Sequence, residues 1–365
     1  MFKVAMLGCG SISSAHVNGW KVQGDRAKMI AVADLLEDRR NARAADFGAK
    51  AYETADALLA AEKPDIVDIC LPTALHLEYA VKAMRAGAHV LCEKPLCLSA
   101  EKAQELLAVE KETGKRMMVA HVVRFIPQYV YLRKAIEEQP FGKLLSLTMV
   151  RISGRRDLGL AWRDWNIHEE LSGSSPFDLN IHDLDYMRSV LGEPTDLHAD
   201  LYYHHDNPEH MFSIYRYGNT LVEIDTGWDM PRGGVYPWNC GYRAVFEGGV
   251  LEYTSRREPN LAWYIEEGVV RVPKTTDNAD GTPSGVTEPL PDGYTAEILY
   301  FTDCLISGAP FTRCSLEDAI GSVRLTEETV AYAKARIKKY FEENIEGYCG
   351  GGFPPPAAYI TAPGR

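Results

Sequence analysis

Long hydrophobic runs, an excess of positive charge and paired cysteine motifs are all missing from this 365-residue sequence. No stretch approaches the roughly 18 apolar residues of a membrane span, so no membrane partner is expected. Lys plus Arg number 39 against 51 Asp plus Glu, a net charge of −12 that repels phosphate backbones and anionic lipid; no nucleic-acid partner is expected either. The eight cysteines never take CxxC spacing, since Cys92 and Cys97 stand five apart, which argues against a zinc ribbon or a redox pair. Several lie in apolar runs such as Ile69-Cys70-Leu71, the setting of reduced, buried thiols. The N-terminus lacks a basic-then-apolar leader, because Phe2 to Leu7 is a short strand-like run ending in glycine, so a cytoplasmic location is expected.

What is present is an ordinary globular composition, 46% hydrophobic and 25% charged, in a length suited to two domains. Strand signals at Phe2–Leu7, Met29–Ala33, Ile66–Leu71, His89–Cys92 and Arg116–Ala120 alternate with helical periodicity at Ser13–Val22, Glu37–Phe47, Leu75–Ala86 and Ser99–Thr113. That alternation predicts an α/β Rossmann domain with a doubly wound parallel sheet over residues 1–122. The pattern then changes. A helix at Gln128–Glu137, a strand at Lys143–Ser153, a helix at Pro176–Leu191, successive strands between His198 and Arg271 and two late helices predict an α+β domain over 123–345 with a large, mostly antiparallel open sheet. The Gly/Pro-rich tail, 346–365, cannot continue the last helix.

Gly8-Cys9-Gly10-Ser11-Ile12-Ser13 follows the first strand and opens the first helix, where a dinucleotide fingerprint belongs. Gly8 permits the tight turn, Gly10 admits a pyrophosphate to the backbone, and the helix N-terminus offers unpaired N–H groups. Asp34, 24 residues after Gly10, ends the second strand where a carboxylate accepts the ribose hydroxyls of NAD and repels the 2′-phosphate of NADP. NAD is therefore the expected cofactor, with Arg39 and Arg40 nearby as groups that could serve NADP.

Ala86-Gly87-Ala88-His89-Val90-Leu91-Cys92-Glu93-Lys94-Pro95-Leu96, preceded by Leu71-Pro72-Thr73 and His76, carries a Glu-Lys-Pro triplet after the fifth strand segment; Asp178-Leu179-Asn180-Ile181-His182 sets Asp and His four apart on a later helix. In both features the chain resembles the Gfo/Idh/MocA family of sugar and inositol oxidoreductases, with Asn180 where the family often has glycine. The resemblance implies cofactor contacts from Gly8, Gly10, Ser11, Ile12, Asp34, Leu71, Pro72, Thr73 and His76. It adds Glu93, Lys94, Pro95, His121 and Arg124, with Trp162 and Arg163 from the loop before the Asp-His helix.

The chemistry follows from residue types. On a regular helix Asp178, His182 and Asp185 fall within about 60° of one another. Oxidising a carbinol needs a base, which His182 suits because its reference pKa of about 6.5 lies near working pH. It also needs a cation or donor on the developing alkoxide, for which Lys94 stands at the carboxyl end of a parallel strand. Asp178 then orients the substrate or tunes its neighbours. Trp162, Arg163, Trp165 and His168 are expected to line the sugar with them, by stacking and forked hydrogen bonds. A metal site from Asp178, His182, Asp185 and His168 is the weaker alternative, and no metal is expected.

The sequence thus predicts an NAD-dependent dehydrogenase that oxidises a secondary ring hydroxyl of a sugar, a glycoside (for example at C3 of a glucoside) or a cyclic polyol. The alternatives are an NAD-retaining glycosidase or lyase acting through a transient 3-keto sugar, an inositol 2-dehydrogenase, and a non-catalytic nucleotide sensor. The family usually assembles through the open face of its large sheet, so a homo-oligomer, dimer or tetramer, is expected.

Overall fold

The computed structural model describes residues 1–154, 165, 168–204, 207–230, 238–255, 261–265, 268–271 and 291–344. By contact the chain forms two compact units, Met1–Tyr131 with Pro273–Val323, and Leu132–Val272 with Arg324–Arg365. The N-terminal segment of a linear division at residue 122 lies wholly in the first unit, and a later stretch of chain returns to it.

In the first unit β1 (Phe2–Leu7), β2 (Ala27–Ala33), β3 (Lys50–Tyr52), β4 (Ile66–Ile69), β5 (His89–Glu93) and β6 (Met117–Ala120) form one sheet in the order β3-β2-β1-β4-β5-β6. Every pairing in it is parallel. This is the doubly wound order whose strand sequence reverses beside β1, the place where such sheets bind ligands. Helices α1 (Ser11–Lys21), α2 (Glu37–Phe47), α3 (Ala55–Glu62), α4 (His76–Arg85) and α5 (Ala100–Thr113) make the crossovers. Sequence periodicity does not reveal β3 and α3: a three-residue strand is too short for an alternation to register, although Thr54 caps α3 by accepting from Ala57 N. Helix α6 (Pro127–Glu138) follows a 3₁₀ turn at Val122–Phe125.

The returning chain supplies α9 (Gly293–Ser307), which lies on α1. Gly19 makes this approach possible, because a Cβ there would stand 2.6 Å from Ile298 Cδ1. The side chain of Asn18 donates to Thr295 Oγ1 (3.0 Å), and Asp292 caps the helix by accepting from Thr295 N (3.0 Å). Ile298, Phe301 and Phe311 join Val4, Met6 and Phe125 in one buried apolar cluster.

The second unit is built on eight strands: β7 (Leu144–Gly154), β8 (Asp196–His204), β9 (Asn207–Tyr217), β10 (Thr220–Met230), β11 (Trp238–Phe246), β12 (Gly249–Thr254), β13 (Leu261–Ile265) and β14 (Gly268–Arg271). Their order is β14-β13-β12-β11-β7-β10-β9-β8, antiparallel throughout except at β7–β10. The short α7 (Glu169–Ser172) precedes a π turn, Pro176–Asn180, which runs directly into α8 (Ile181–Leu191). Regular periodicity predicts a single α-helix from Pro176; the structure inserts the wider π turn at its start. Gly192 caps α8. The last helix, α10 (Leu316–Asn344), is capped by Ser315 Oγ accepting from Asp318 N (3.1 Å). The tail from 346 lies outside the described residues.

Gly19→Val should force α9 away from α1 and lower unfolding free energy by about 1–3 kcal/mol, measured by denaturant titration. An unchanged midpoint would show that this approach carries no packing energy.

Candidate functional site

The nucleotide corner is shaped by the turn between β1 and α1. Gly8 has φ +89°, and a Cβ on it would lie 2.4 Å from the Cys70 carbonyl oxygen, so no other residue fits. At Gly10 an added Cβ would meet only the Arg39 guanidinium, at 3.7 Å, which leaves open space over the turn. No side chain caps α1, so its first-turn N–H groups face that space, with Ser11 exposed and Ile12 half-buried. Ser13 is fully buried and donates to the Gly10 carbonyl (2.6 Å), holding the turn closed. Asp34 closes the corner: Oδ2 accepts from Cys9 N and Oδ1 from Leu36 N, each at 2.8 Å. Burial, with the charge of Asp34, pushes the Cys9 thiol up to about 12, so Cys9 is an inert packing residue. An open glycine, uncapped helix N–H groups and a fixed strand-end carboxylate fit a dinucleotide.

The Glu93–Lys94–Pro95 turn leaves the carboxyl end of β5 with a cis Lys94–Pro95 bond. Lys94 is half-buried, whereas Glu93 is buried and turned inward. Its Oε1 accepts from His16 Nε2 (2.9 Å) and its Oε2 from Lys94 N (3.0 Å). The other ring nitrogen of His16 donates to Asp68 (2.9 Å), which also accepts from Trp20 Nε1 (2.7 Å). A ring between two carboxylates needs both protons. Burial opposes the charged form, but Asp68 and Cys70 outweigh it and hold His16 well above its usual value. Glu297, on α9, is also buried in this group, with no hydrogen-bond partner among the described residues. Burial pushes its carboxyl well above the ordinary range; His16 pulls it back, and Glu93, Asp68 and Asp292 push it further up.

His76 braces the same turn from the other side. Its Nδ1 lies 2.7 Å from the Pro95 carbonyl and its Nε2 2.7 Å from that of Leu71. Burial lowers its pKa while the two carbonyls raise it, and the ring bridges Leu71-Pro72-Thr73 to Pro95. His76, Glu93 and Arg124, read from the sequence as cofactor contacts, thus spend polar groups inside the first unit. The buried Arg124 guanidinium pairs with Asp318 and donates to the Arg313 carbonyl (2.6 Å). His121 is buried as well.

In the second unit Asp178 lies in the π turn and His182 in the first turn of α8, both half-buried, while Asp185 is fully buried. A π turn before a helix is common where side chains must be aimed, because the wide turn re-sets the face they share. The segment is anchored on both sides. Asp183 receives a forked pair from Arg151 on β7 (2.7 and 2.8 Å), and Asn180 donates to Thr226 Oγ1 on β10 (3.2 Å). Trp165 is half-buried and His168 exposed, with Nδ1 3.7 Å from Glu170; Trp162 and Arg163 lie outside the described residues. Asp178, His182, Asp185 and His168 do not gather as metal donors. Among the described residues the donor groups that do are His16–Asp68–Cys70 and His16–Glu93–Glu297. No helix described is long and apolar enough to cross a membrane.

Sequence reasoning missed His16, Asp68 and Glu297. Asp68 did carry a signal, since an acid in the middle of a wholly buried strand must be paired.

Two family models match the chain. "Oxidoreductase family, NAD-binding Rossmann fold" covers residues 2–121, and "GFO/IDH/MocA C-terminal domain" covers 129–252, well over half of the chain between them. The chain belongs to the Gfo/Idh/MocA family. Among relatives of this Gfo/Idh/MocA protein, an inositol 2-dehydrogenase of Rhizobium meliloti is 35% identical over 52% of the chain and 55% of that protein. A D-glucoside 3-dehydrogenase of Escherichia coli is 30% identical over 53% and 54%. The chain thus aligns with about half the length of these curated relatives. The structure of a levoglucosan dehydrogenase with NADH and levoglucosan superposes with a TM-score of 0.78 at 18% identity, over 92% of this chain and 97% of that one.

Glu297 contributes stability through its raised folded-state pKa, fully present below its unfolded value near 4.5 and lost as pH rises through the folded value. Glu297→Gln should therefore gain stability relative to wild type as pH rises from 4 to 8, read by denaturant titration at each pH. A difference that does not vary with pH would refute a neutral Glu297.

Proposed function

We propose that this protein is an NAD-dependent dehydrogenase that oxidises a secondary ring hydroxyl of a sugar, a glycoside or a cyclic polyol to the ketone. The observation that carries the reading is the Glu93–Lys94–Pro95 turn, held by His16 and His76 at the carboxyl end of β5 in a unit that also presents the open Gly8–Gly10 corner. The inositol and D-glucoside dehydrogenase relatives support the substrate class.

NAD, when bound, supplies the acceptor for the hydride that leaves the carbinol carbon. The Gly10 turn and the N–H groups of α1 hold its pyrophosphate, and Asp34 takes the ribose hydroxyls and disfavours a 2′-phosphate. Lys94 donates a hydrogen bond to the substrate oxygen and steadies negative charge as the O–H bond breaks. His182 accepts that proton, and Asp178 fixes the sugar through a neighbouring hydroxyl. The overall field is acidic, so the ammonium of Lys94 acts as a local cation beside a neutral sugar.

A homo-oligomer, dimer or tetramer, is proposed through the open face of the large sheet. Tyr202 and Phe212 are each 50% exposed there and Ile214 44%, and cross-strand pairing sets them on one face.

Purified protein with NAD should raise absorbance at 340 nm on at least one member of a panel of glucosides, free sugars and inositols. Lys94→Ala should cut kcat/KM by about 10²-fold or more. Silence across the panel would refute the dehydrogenase reading, and cleavage of a chromogenic glycoside at catalytic NAD would replace it with the glycosidase one. Phe212→Lys with Ile214→Asp should shift the protein to monomer in sedimentation velocity; an unchanged assembly would exclude this face.

A further inference from the structure

The chemistry proposed above makes no use of His16 or Glu297, yet both are fully buried. They stand with Asp68 and Glu93 where α1, β4, β5 and the returning α9 come together. Burying that many ionisable groups is costly unless each is paired, and breaking one buried pair typically costs about 3–5 kcal/mol. Such a cluster has to hold something in place.

We propose that His16 and Glu297 are positioning residues: together they fix the Glu93 carboxylate, and through its bond to the Lys94 N–H they set the conformation of the turn from which Lys94 acts. The role of Lys94 rests on the proposed dehydrogenase reading; the positioning itself does not. His16 takes one Glu93 oxygen (2.9 Å) and leaves the other for Lys94 N (3.0 Å). One ligating atom from each of His16, Glu93 and Glu297 lies within 4.8 Å of the others. Two carboxylates this close in a dry interior repel, whereas a carboxylic acid at Glu297 would offer an O–H that Glu93, beyond the donors His16 and Lys94 N, can also accept. Around the group stand Trp20 on α1, Cys70 after β4, and Tyr294 on α9, its ring 6.0 Å from that of His16. Asp292 caps the same helix. The approach of α9 over Gly19 and the Asn18–Thr295 bond deliver Glu297 to this place.

The same three donors are of the types that bind zinc. The 2.9 Å between His16 and Glu93 is a hydrogen-bond distance, shorter than the ~3.3 Å that separates two ligands at 2.0–2.1 Å on a tetrahedral ion. A proton therefore fits the gap as it stands.

The test is amide hydrogen exchange at Lys94 in the full chain with NAD, with the β1 amides as internal reference. Glu297→Ala and His16→Gln should speed exchange at Lys94 at least tenfold and leave β1 within twofold. Glu297→Gln, whose amide can donate to Glu93, should stay within threefold of wild type. Glu297→Met keeps the volume and carries the same expectation as alanine should the alanine variant not fold. Unchanged exchange at Lys94, or equal acceleration in β1, overturns the proposal. So does one equivalent of zinc in the purified protein that is lost in His16→Gln. With a substrate in hand, Glu297→Ala should lower kcat at least tenfold, with KM for NAD within twofold, and Glu297→Gln should restore it; kcat within twofold of wild type in the alanine variant overturns the role. The exchange measurement needs no substrate, so a failed dehydrogenase assignment and a failed positioning claim give different results.

Discussion

An imidazole ring buried between two carboxylates is the contact on which the first unit turns. His16 sits on α1, which follows the Gly8–Gly10 turn; Asp68 lies within β4 and Glu93 ends the adjacent β5. Taking these charges out of water is tolerable only while their hydrogen bonds are kept, so helix and strands cannot slide independently. α1 and the turn bearing Lys94 are thereby fixed to each other through a single ring. Trp20 adds a donor from the same helix one turn on, which further narrows the freedom of α1 over the sheet.

The second unit solves a similar problem with different parts. Asp178 and His182 stand where a π turn becomes an α-helix, and such a turn needs support because its ladder is locally irregular. The forked Arg151–Asp183 pair supplies it from β7, and Asn180 adds a second tie to β10, strands joined by the one parallel pairing in that sheet. Asn180, which departs from the family's usual glycine, is therefore occupied as a strut beneath the segment. Its side chain is fully buried.

Local chemistry was legible in the sequence and distant chemistry was not. The glycine turn, the strand-end Asp34 and the Glu93–Lys94–Pro95 triplet announce themselves, because each depends on neighbours within a few residues: a positive φ, a helix start, a strand end. The alternation of strands and helices likewise gave the parallel sheet, missing only β3, which is three residues long. Glu297 gave no comparable sign. The groups gathered around it, His16, Asp68 and Glu93, lie more than two hundred residues earlier, and in α9 it is one of two acids on a mostly apolar helix until Gly19 shows where that helix packs. Arg124 shows the reverse: a cation after a Rossmann strand reads as a cofactor contact, and the distant Asp318 that pairs with it left no sign in the sequence. The π turn was hidden because one extra residue per turn leaves the apolar pattern over so few residues unchanged.

The nucleotide corner shows how placement decides between opposing charges. Asp34 and Arg39 both border it, one acidic and one basic. Asp34 is held at the end of β2 by two main-chain N–H groups, so its carboxylate cannot swing away from an incoming phosphate without stranding both donors. Arg39 lies on α2, and its guanidinium is the group that a Cβ at Gly10 would meet, at 3.7 Å. On the proposed preference for NAD, the discrimination therefore resides in the main chain around Cys9 and Leu36 as much as in the carboxylate it holds.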